Sequence, residues 1–338
     1  MRWFIRTFFF LLFGGLIVAG AVAYWSYKDL QAPGPSTADT TVIIDYGTSV
    51  SGIARQLEEA GVIRDARPFS IRARFLPEGK SLKFGEYKFP AAISAEDAMK
   101  MMIDGAVVQY KVTIAEGLTS AQILALIAAA PDLEGAVPTA LPAEGSLLPE
   151  TYLFDRGTTR AEIVARMEQA MDNKIAELWP KRAKDLPFAT PQEAIVLASI
   201  VEKETGVASE RPRVAAVFIN RLKQGIPLQS DPTIIYFLAG GKGPLDRALT
   251  FADLAKQDPY NTYLNPGLPP GPIANPGRAS LEAVLNPPET KELYFVADGT
   301  GGHAFAETLA EHNKNVANWR KIQKEKKDEG ATESGTGN

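Results

Sequence analysis

Two glutamates at the end of an apolar segment are the residues best suited to chemistry. Glu202 and Glu204 follow the apolar run ASIV at 198–201 and flank Lys203. If Glu204 lies in the last turn of a helix, the unpaired carbonyl groups there disfavour its ionised form and raise its pKa, and a like charge on Glu202 adds to the effect. A carboxyl group that keeps its proton near neutral pH can act as a general acid. The same pattern also fits a solvated helix end, so the residues alone leave both interpretations open.

Polar side chains suited to sugar recognition follow downstream of the two glutamates. They combine amides, hydroxyls and a carboxylate: Gln229, Ser230, Asp231, Asn261 and Tyr263. Together with a protonated carboxyl group, such residues favour the cleavage of a glycosidic bond. Each also has a structural alternative. Asp231 is followed by proline and is typical of a helix N-cap, and Tyr263 fits a core position equally well.

Composition excludes several other classes of chemistry. The chain has no cysteine, which rules out disulfides, thiolate catalysis and cysteine-bound metals, and its two histidines lie far from the acidic pair. We therefore expect no metal and no cofactor. The net charge of −4 gives no global basic field, so nucleic acid is a poor candidate for the partner.

The elements that must position the glutamates are mainly helical, within a chain of 338 residues that is long enough for two or three domains. TPQE at 190–193 is a capping box with proline at the first helical position, and it predicts the start of the helix that carries Glu202 and Glu204. An internal repeat lies before it: a strand, a glycine turn and a helix capped by Ser49 recur seventy residues later with Thr119 as the cap. With a Gly-rich β-hairpin predicted near 293–305, the fold class is α+β.

The N-terminus predicts a membrane anchor. No charged residue occurs from Thr7 to Tyr27, a length that can cross a bilayer, and Arg2 and Arg6 precede it. By the positive-inside rule the N-terminus is then cytoplasmic and the remaining chain is extracytoplasmic. A cleaved signal peptide is the alternative, because AVA at 21–23 resembles a cleavage site.

From Glu144 to about Lys314 the chain resembles the endolytic murein transglycosylase family, whose YceG-like members are membrane-anchored. The matching motifs occur in order: ASIVEKET at 198–205, ASER at 208–211, VFINRL at 217–222, LQSDPT at 228–233, YNTY at 260–263, GLPPGPI at 267–273 and YFVADG at 294–299. Glu204-Thr205 is similar to the Glu-Ser pair of soluble lytic transglycosylases, whereas Glu202-Lys203 is not. The resemblance therefore implies Glu204 as the catalyst and Glu202 in a supporting role.

The resemblance also implies an architecture and a function. The expected segments are a transmembrane anchor (1–28), a linker (29–40), a LysM-like α/β module (41–108), a second repeat-like subdomain (109–158), a lysozyme-like catalytic domain (159–328) and a disordered tail (329–338). The expected reaction cleaves nascent peptidoglycan at the inner membrane, at the bond between N-acetylmuramic acid and N-acetylglucosamine, and leaves a 1,6-anhydro end. This cleavage would set the length of glycan strands, and peptidoglycan synthases are the expected partners. A hydrolytic muramidase, with Glu202, Glu210 or Asp231 as second carboxylate, and a non-catalytic peptidoglycan-binding scaffold remain as alternatives.

Overall fold

The computed structural model describes residues 2–334, which form two compact units. The first unit comprises the residues up to Lys111 together with Leu153–Gly157, and the second comprises Val112–Tyr152 and the residues from Thr158 onward. Helices and small two-stranded sheets occur in one chain. The predicted α+β class is therefore confirmed.

The first unit begins with a long apolar helix and continues as a small α/β module. Its elements are α1 (Arg2–Gln31), β1 (Thr40–Ile44), α2 (Val50–Glu59), α3 (Ala66–Arg74), β2 (Gly85–Phe89) and α4 (Ala95–Asp104). Strands β1 and β2 pair antiparallel, with Val42 opposite Tyr87. Leu57, Phe69 and Met99 are buried in one core between the helices and this sheet.

Helix α1 is long and apolar enough to cross a bilayer, and it is the one helix among residues 2–334 that meets this test. The most apolar part of the segment Trp3–Gln31 has a mean hydropathy of 2.1, and none of that stretch is buried against protein. This composition is the one predicted from the sequence for an anchor.

The second unit is mainly helical. Its elements are α5 (Ser120–Ala129), α6 (Arg160–Leu178), a 3₁₀ turn (Trp179–Lys181), α7 (Pro191–Glu204), α8 (Arg211–Gln224), α9 (Asp231–Leu238), α10 (Phe251–Leu254), α11 (Arg278–Leu285), β5 (Tyr294–Ala297), β6 (His303–Ala306) and α12 (Leu309–Ser334). Strands β5 and β6 form the predicted antiparallel hairpin. Strands β3 (Tyr110–Thr113) and β4 (Thr151–Phe154) form a further two-stranded sheet.

Helix α7 is the buried centre of the second unit. It begins at the predicted capping box, in which the Thr190 hydroxyl accepts from the Glu193 amide and the Glu193 carboxylate accepts from the Thr190 amide. Residues 194–201 are all buried, because the helix packs against both α8 and α11. A helix that is apolar on every side needs such surroundings. This packing fixes the position of its C-terminal end, where Glu202 and Glu204 lie.

The structure can be compared with two predictions from the sequence, the internal repeat and the disordered tail. The repeat folds as predicted into β1–α2 and β3–α5, with Ser49 and Thr119 as N-caps. The tail expected to be disordered from residue 329 belongs to α12 as far as Ser334, and residues 335–338 lie outside the described residues.

Candidate active site

Glu204 is the last residue of α7, and its carboxyl group is half-buried. The Ser230 hydroxyl donates to Glu204 Oε1 at 2.5 Å. Burial raises the pKa of Glu204 to about 7, and the negative charge of Asp231 adds to the rise. The hydrogen bond from Ser230 and the positive charge of Arg221 act in the opposite direction. The direction is the one predicted, but the nearby like charge comes from Asp231 and not from Glu202.

Glu202 points to a different set of partners. Its side chain is only 5% exposed, and its carboxylate lies 3.2 Å from Arg211 Nη2. The Gly277 amide donates to the other carboxylate oxygen at 2.9 Å. Positions two apart on a helix face in nearly opposite directions, which explains the separation from Glu204. Glu202 therefore ties the end of α7 to α8 and to the start of α11.

Two threonine hydroxyls, those of Thr262 and Thr233, bond to the backbone of Ser230 and hold the turn that carries it. The Ser230 amide donates to Thr262 Oγ1 at 3.0 Å, and Thr233 Oγ1 donates to the Ser230 carbonyl at 2.7 Å. Gln229 has a φ of +53°, a left-handed conformation that costs a side-chain-bearing residue about 1 kcal/mol. Ser230 is also the N-cap of α9, and Asp231 is its first residue. The expectation that Asp231 is the cap is wrong, because the chain turns into the helix one residue earlier.

Arg221 fixes the same turn from α8. Its buried guanidinium donates to the carbonyls of Pro227 at 3.1 Å and Leu228 at 2.8 Å through Nη1, and to Leu293 at 2.6 Å through Nε. The planar fork of arginine suits several carbonyl acceptors at once. A lone arginine in the apolar run of VFINRL was the available sequence signal for this role.

The remaining predicted site residues divide into two groups. The Tyr263 hydroxyl donates to Asp231 Oδ1 at 2.6 Å, and Asp231 and Gln229 are exposed beside Ser230. Burial and the Asp231 charge raise the pKa of Tyr263, so it stays a neutral donor. Asn261 is instead fully buried.

The amide group of Asn261 is occupied by the backbone. Its Nδ2 donates to the carbonyls of Leu254 at 3.0 Å and Lys256 at 2.7 Å, and its Oδ1 accepts from the Tyr263 amide at 2.9 Å. These bonds hold the loop before Tyr263 in place. They leave no accessible atom for a sugar, contrary to the expected sugar-binding role.

Glu210, considered above as the second carboxylate of a muramidase, lies at the start of α8 and pairs with His303. His303 Nδ1 lies 2.8 Å from Glu210 Oε2, and the His303 amide donates to Oε1 at 2.9 Å. Glu210 therefore joins α8 to the β5–β6 hairpin. Of the carboxylates considered, Asp231 is the exposed one whose charge acts on Glu204.

Comparisons with known proteins agree over most of the chain. Residues 42–318 match the model of the YceG-like family. A protein named endolytic murein transglycosylase from Bacillus subtilis (strain 168) is 33% identical over 332 residues, which cover 88% of this chain and 90% of that protein. A protein of the same name from Streptococcus pneumoniae serotype 2 (strain D39 / NCTC 7466) is 31% identical over 91% of this chain, which spans 64% of that protein.

A solved structure extends the similarity to three dimensions. The crystal structure of a YceG-like protein from Listeria monocytogenes has a TM-score of 0.51 and 33% sequence identity with this chain, and the match covers 82% of this chain and 99% of that one. The extent of the family match and the identities over most of two chains lead to one conclusion: the chain belongs to the YceG-like family.

Proposed function

We propose that this protein is a peptidoglycan lytic transglycosylase that cleaves glycan strands internally and uses Glu204 as its single catalytic residue. The observation that carries the proposal is the half-buried Glu204 carboxyl, whose pKa of about 7 leaves it substantially protonated near neutral pH. The relatives named endolytic murein transglycosylase support peptidoglycan as the substrate.

In the first step Glu204 acts as the general acid. Its proton passes to the oxygen that bridges N-acetylmuramic acid and N-acetylglucosamine, and the bond from that oxygen to C1 of the muramic acid breaks. The leaving sugar keeps the bridging oxygen as a hydroxyl, and an oxocarbenium-like centre develops at C1. The Ser230 hydrogen bond stabilises the carboxylate that remains.

In the second step the same group acts as the base. The Glu204 carboxylate takes the proton of the C6 hydroxyl of the muramic acid while that oxygen bonds to C1. The product is a 1,6-anhydro end, no water is consumed, and Glu204 regains its proton. A group whose pKa lies close to the working pH can serve in both directions.

Exposed groups around Glu204 supply sugar contacts in this proposal. Gln229 presents its amide from a fixed turn, with Oε1 accepting from Arg221 Nη1 at 3.4 Å and Nε2 available to donate. The Tyr263–Asp231 pair presents a hydroxyl and a carboxylate. Glu202 supports the site through its ion pair with Arg211 and takes no part in proton transfer.

Hydrolysis is the second candidate, and a specific observation favours it. Asp231 is an exposed carboxylate whose charge reaches Glu204, and a muramidase could use it to orient a water molecule. Its bond with Tyr263 competes with that role. The products distinguish the two reactions, because hydrolysis leaves reducing ends and transglycosylation leaves anhydro ends.

The rest of the chain serves this reaction at a membrane. We assign α1 as a single-pass anchor with a cytoplasmic N-terminus and an extracytoplasmic catalytic domain, on the basis of its apolar length and the arginines before it. The module at 41–108 is a LysM-like glycan-binding domain in this proposal, and the helices of 159–328 form a lysozyme-like catalytic domain. Peptidoglycan synthases are the proposed partners.

A direct experiment compares Glu204→Gln with Glu202→Gln on purified peptidoglycan. Glu204→Gln removes the proton but keeps the shape and the acceptor for Ser230, so we expect no cleavage with glycan binding retained. Glu202→Gln disturbs an ion pair and should keep measurable activity. An active Glu204→Gln beside an inactive Glu202→Gln would overturn the assignment, and uncleaved strands with the unmodified protein would favour a scaffold.

A further inference from the structure

An apolar groove runs between α1 and α3 within the first unit. It has a volume of about 720 Å³ and is lined on one side by α1 residues from Gly15 to Gln31 and on the other by Ile71 of α3 and Phe75, the C-cap of that helix. The two charged residues in its lining, Arg72 and Glu96, lie 3.2 Å apart and pair with each other. The groove is therefore apolar and carries no unbalanced charge.

The wall of the groove opposite α1 exposes two large apolar side chains beside two arginines. Ile71 is 52% exposed and Phe75 is 76% exposed. Ile71 lies in α3 and Phe75 directly follows its last residue, four positions on, so both lie on the same side of the helix end. Arg67 and Arg74 are exposed at neighbouring positions of that side, and Arg67 remains highly exposed although its Nε lies 3.7 Å from Asp65. Apolar side chains flanked by long cationic ones are typical of helices that lie at a membrane interface, where arginine extends toward the headgroups.

The α1 side of the groove indicates how deep in a bilayer the groove would lie. The stretch from Gly15 to Ala23 is nine residues long, and its ends lie about 12 Å apart along the helix axis. That length is close to the hydrocarbon thickness of one leaflet, about 15 Å. If α1 spans the bilayer as proposed above, a groove lined by this apolar part of the helix opens at hydrocarbon depth.

We propose that acyl chains of phospholipids in the outer leaflet fill the groove between α1 and α3, and that Arg67 and Arg74 contact the phosphate headgroups. The inference rests on the proposed membrane-spanning role of α1. Lipid is the favoured occupant because the groove continues the surface of α1, and the most apolar stretch of that helix has no protein cover in this chain. The module is thereby held against the bilayer by a second attachment besides α1.

Site-specific fluorescence tests the proposal on the full chain. The sequence has no cysteine, so single cysteines can carry a bimane label without background. The test variant is Phe75→Cys. The matched control is Phe84→Cys, an aromatic position of the same unit that is 57% exposed and does not line the groove. Val18→Cys reports whether α1 is inserted.

The proteins are reconstituted in phosphatidylglycerol/phosphatidylethanolamine nanodiscs that contain lipids with a nitroxide on the acyl chain. We expect the lipid nitroxide to quench the label at 75 at least twofold more than the label at 84, and iodide in solution to show the reverse order. Adding Ile71→Glu to the Phe75→Cys variant should reduce lipid quenching at 75 at least twofold.

Two outcomes would overturn the inference, and they differ in what they say about the anchor. If the label at 18 is quenched by lipid while those at 75 and 84 behave alike, α1 is inserted and the groove does not hold lipid. If the label at 18 is not quenched, the membrane-spanning role of α1 fails as well. Shielding of position 75 from both quenchers would identify a protein occupant, such as a second copy, and would also overturn the lipid assignment.

Discussion

Replacing Glu204 by glutamine should stabilise the protein at alkaline pH. In the folded chain the pKa of this carboxyl is about 7, whereas its ordinary value is 4.5. The folded state therefore binds the proton more tightly than the unfolded state. The stability that this proton provides is fully present below about pH 4.5 and is lost as the pH rises toward 7.

The magnitude follows from the two pKa values. Their difference corresponds to about 3 kcal/mol, and partial access of water to the half-buried carboxylate relieves some of it. Glutamine mimics the protonated form and can still accept from Ser230. We expect Glu204→Gln to raise the free energy of unfolding by about 1–3 kcal/mol at pH 8 and by close to zero at pH 4.5.

Urea unfolding of the full chain in detergent, followed by circular dichroism at the two pH values, measures this difference. Glu202→Gln is the matched control, because it removes the nearer of two carboxylate partners of the buried Arg211 guanidinium and leaves Glu116 at 3.6 Å. It should therefore lower the free energy of unfolding at pH 8, by about 1–2 kcal/mol, and not raise it. Equal stabilisation by Glu204→Gln at pH 4.5 and pH 8, or none at pH 8, would refute the reasoning that burial holds the proton on Glu204.

Three further predictions concern the surroundings of Glu204 and the packing around α7. Ser230→Ala removes a hydrogen bond that lowers the pKa of Glu204, so the alkaline fall of kcat/KM should move to higher pH. Asp231→Asn removes a charge that raises the same pKa, so the fall should move to lower pH. A shift in the same direction in both variants would contradict the assignment. Arg221→Lys loses the fork that holds the turn before Ser230, and we expect a loss of about 2–4 kcal/mol in urea unfolding with activity reduced at least tenfold. Gly145 has a φ of +80°, and an added Cβ would lie 2.7 Å from the ring of Pro272 and 2.8 Å from a methyl group of Ile195. Gly145→Ala should therefore lower the melting temperature by several degrees. An unchanged melting temperature would contradict the close packing.

Local signals in the sequence were sufficient for much of the scaffold. The capping box at 190–193 specifies where α7 begins, because the reciprocal bonds involve residues only three positions apart. The same holds for Ser49 and Thr119, each of which caps a helix within its own copy of the repeat. Such interactions need no knowledge of tertiary contacts.

The parts of the site that depend on distant partners were harder to predict. The Gly277 amide that binds Glu202 is 75 positions away, and the backbone groups that occupy Asn261 are set by the path of a loop with little regular structure. The sequence predicts Asp231 as the N-cap of α9, but the N-cap is Ser230, whose amide is held by the hydroxyl of the distant Thr262. Side-chain identity indicated the candidates in these cases, but three-dimensional neighbours decided their roles.

The most direct test of the central proposal is the mass of the products released from purified peptidoglycan by the unmodified protein and by Glu204→Gln. If Glu204 is both acid and base, the unmodified protein yields fragments with 1,6-anhydro ends, which are lighter by one water than hydrolysis products, and Glu204→Gln yields none. Reducing ends from the unmodified protein, or anhydro ends from Glu204→Gln at an undiminished rate, would contradict the account.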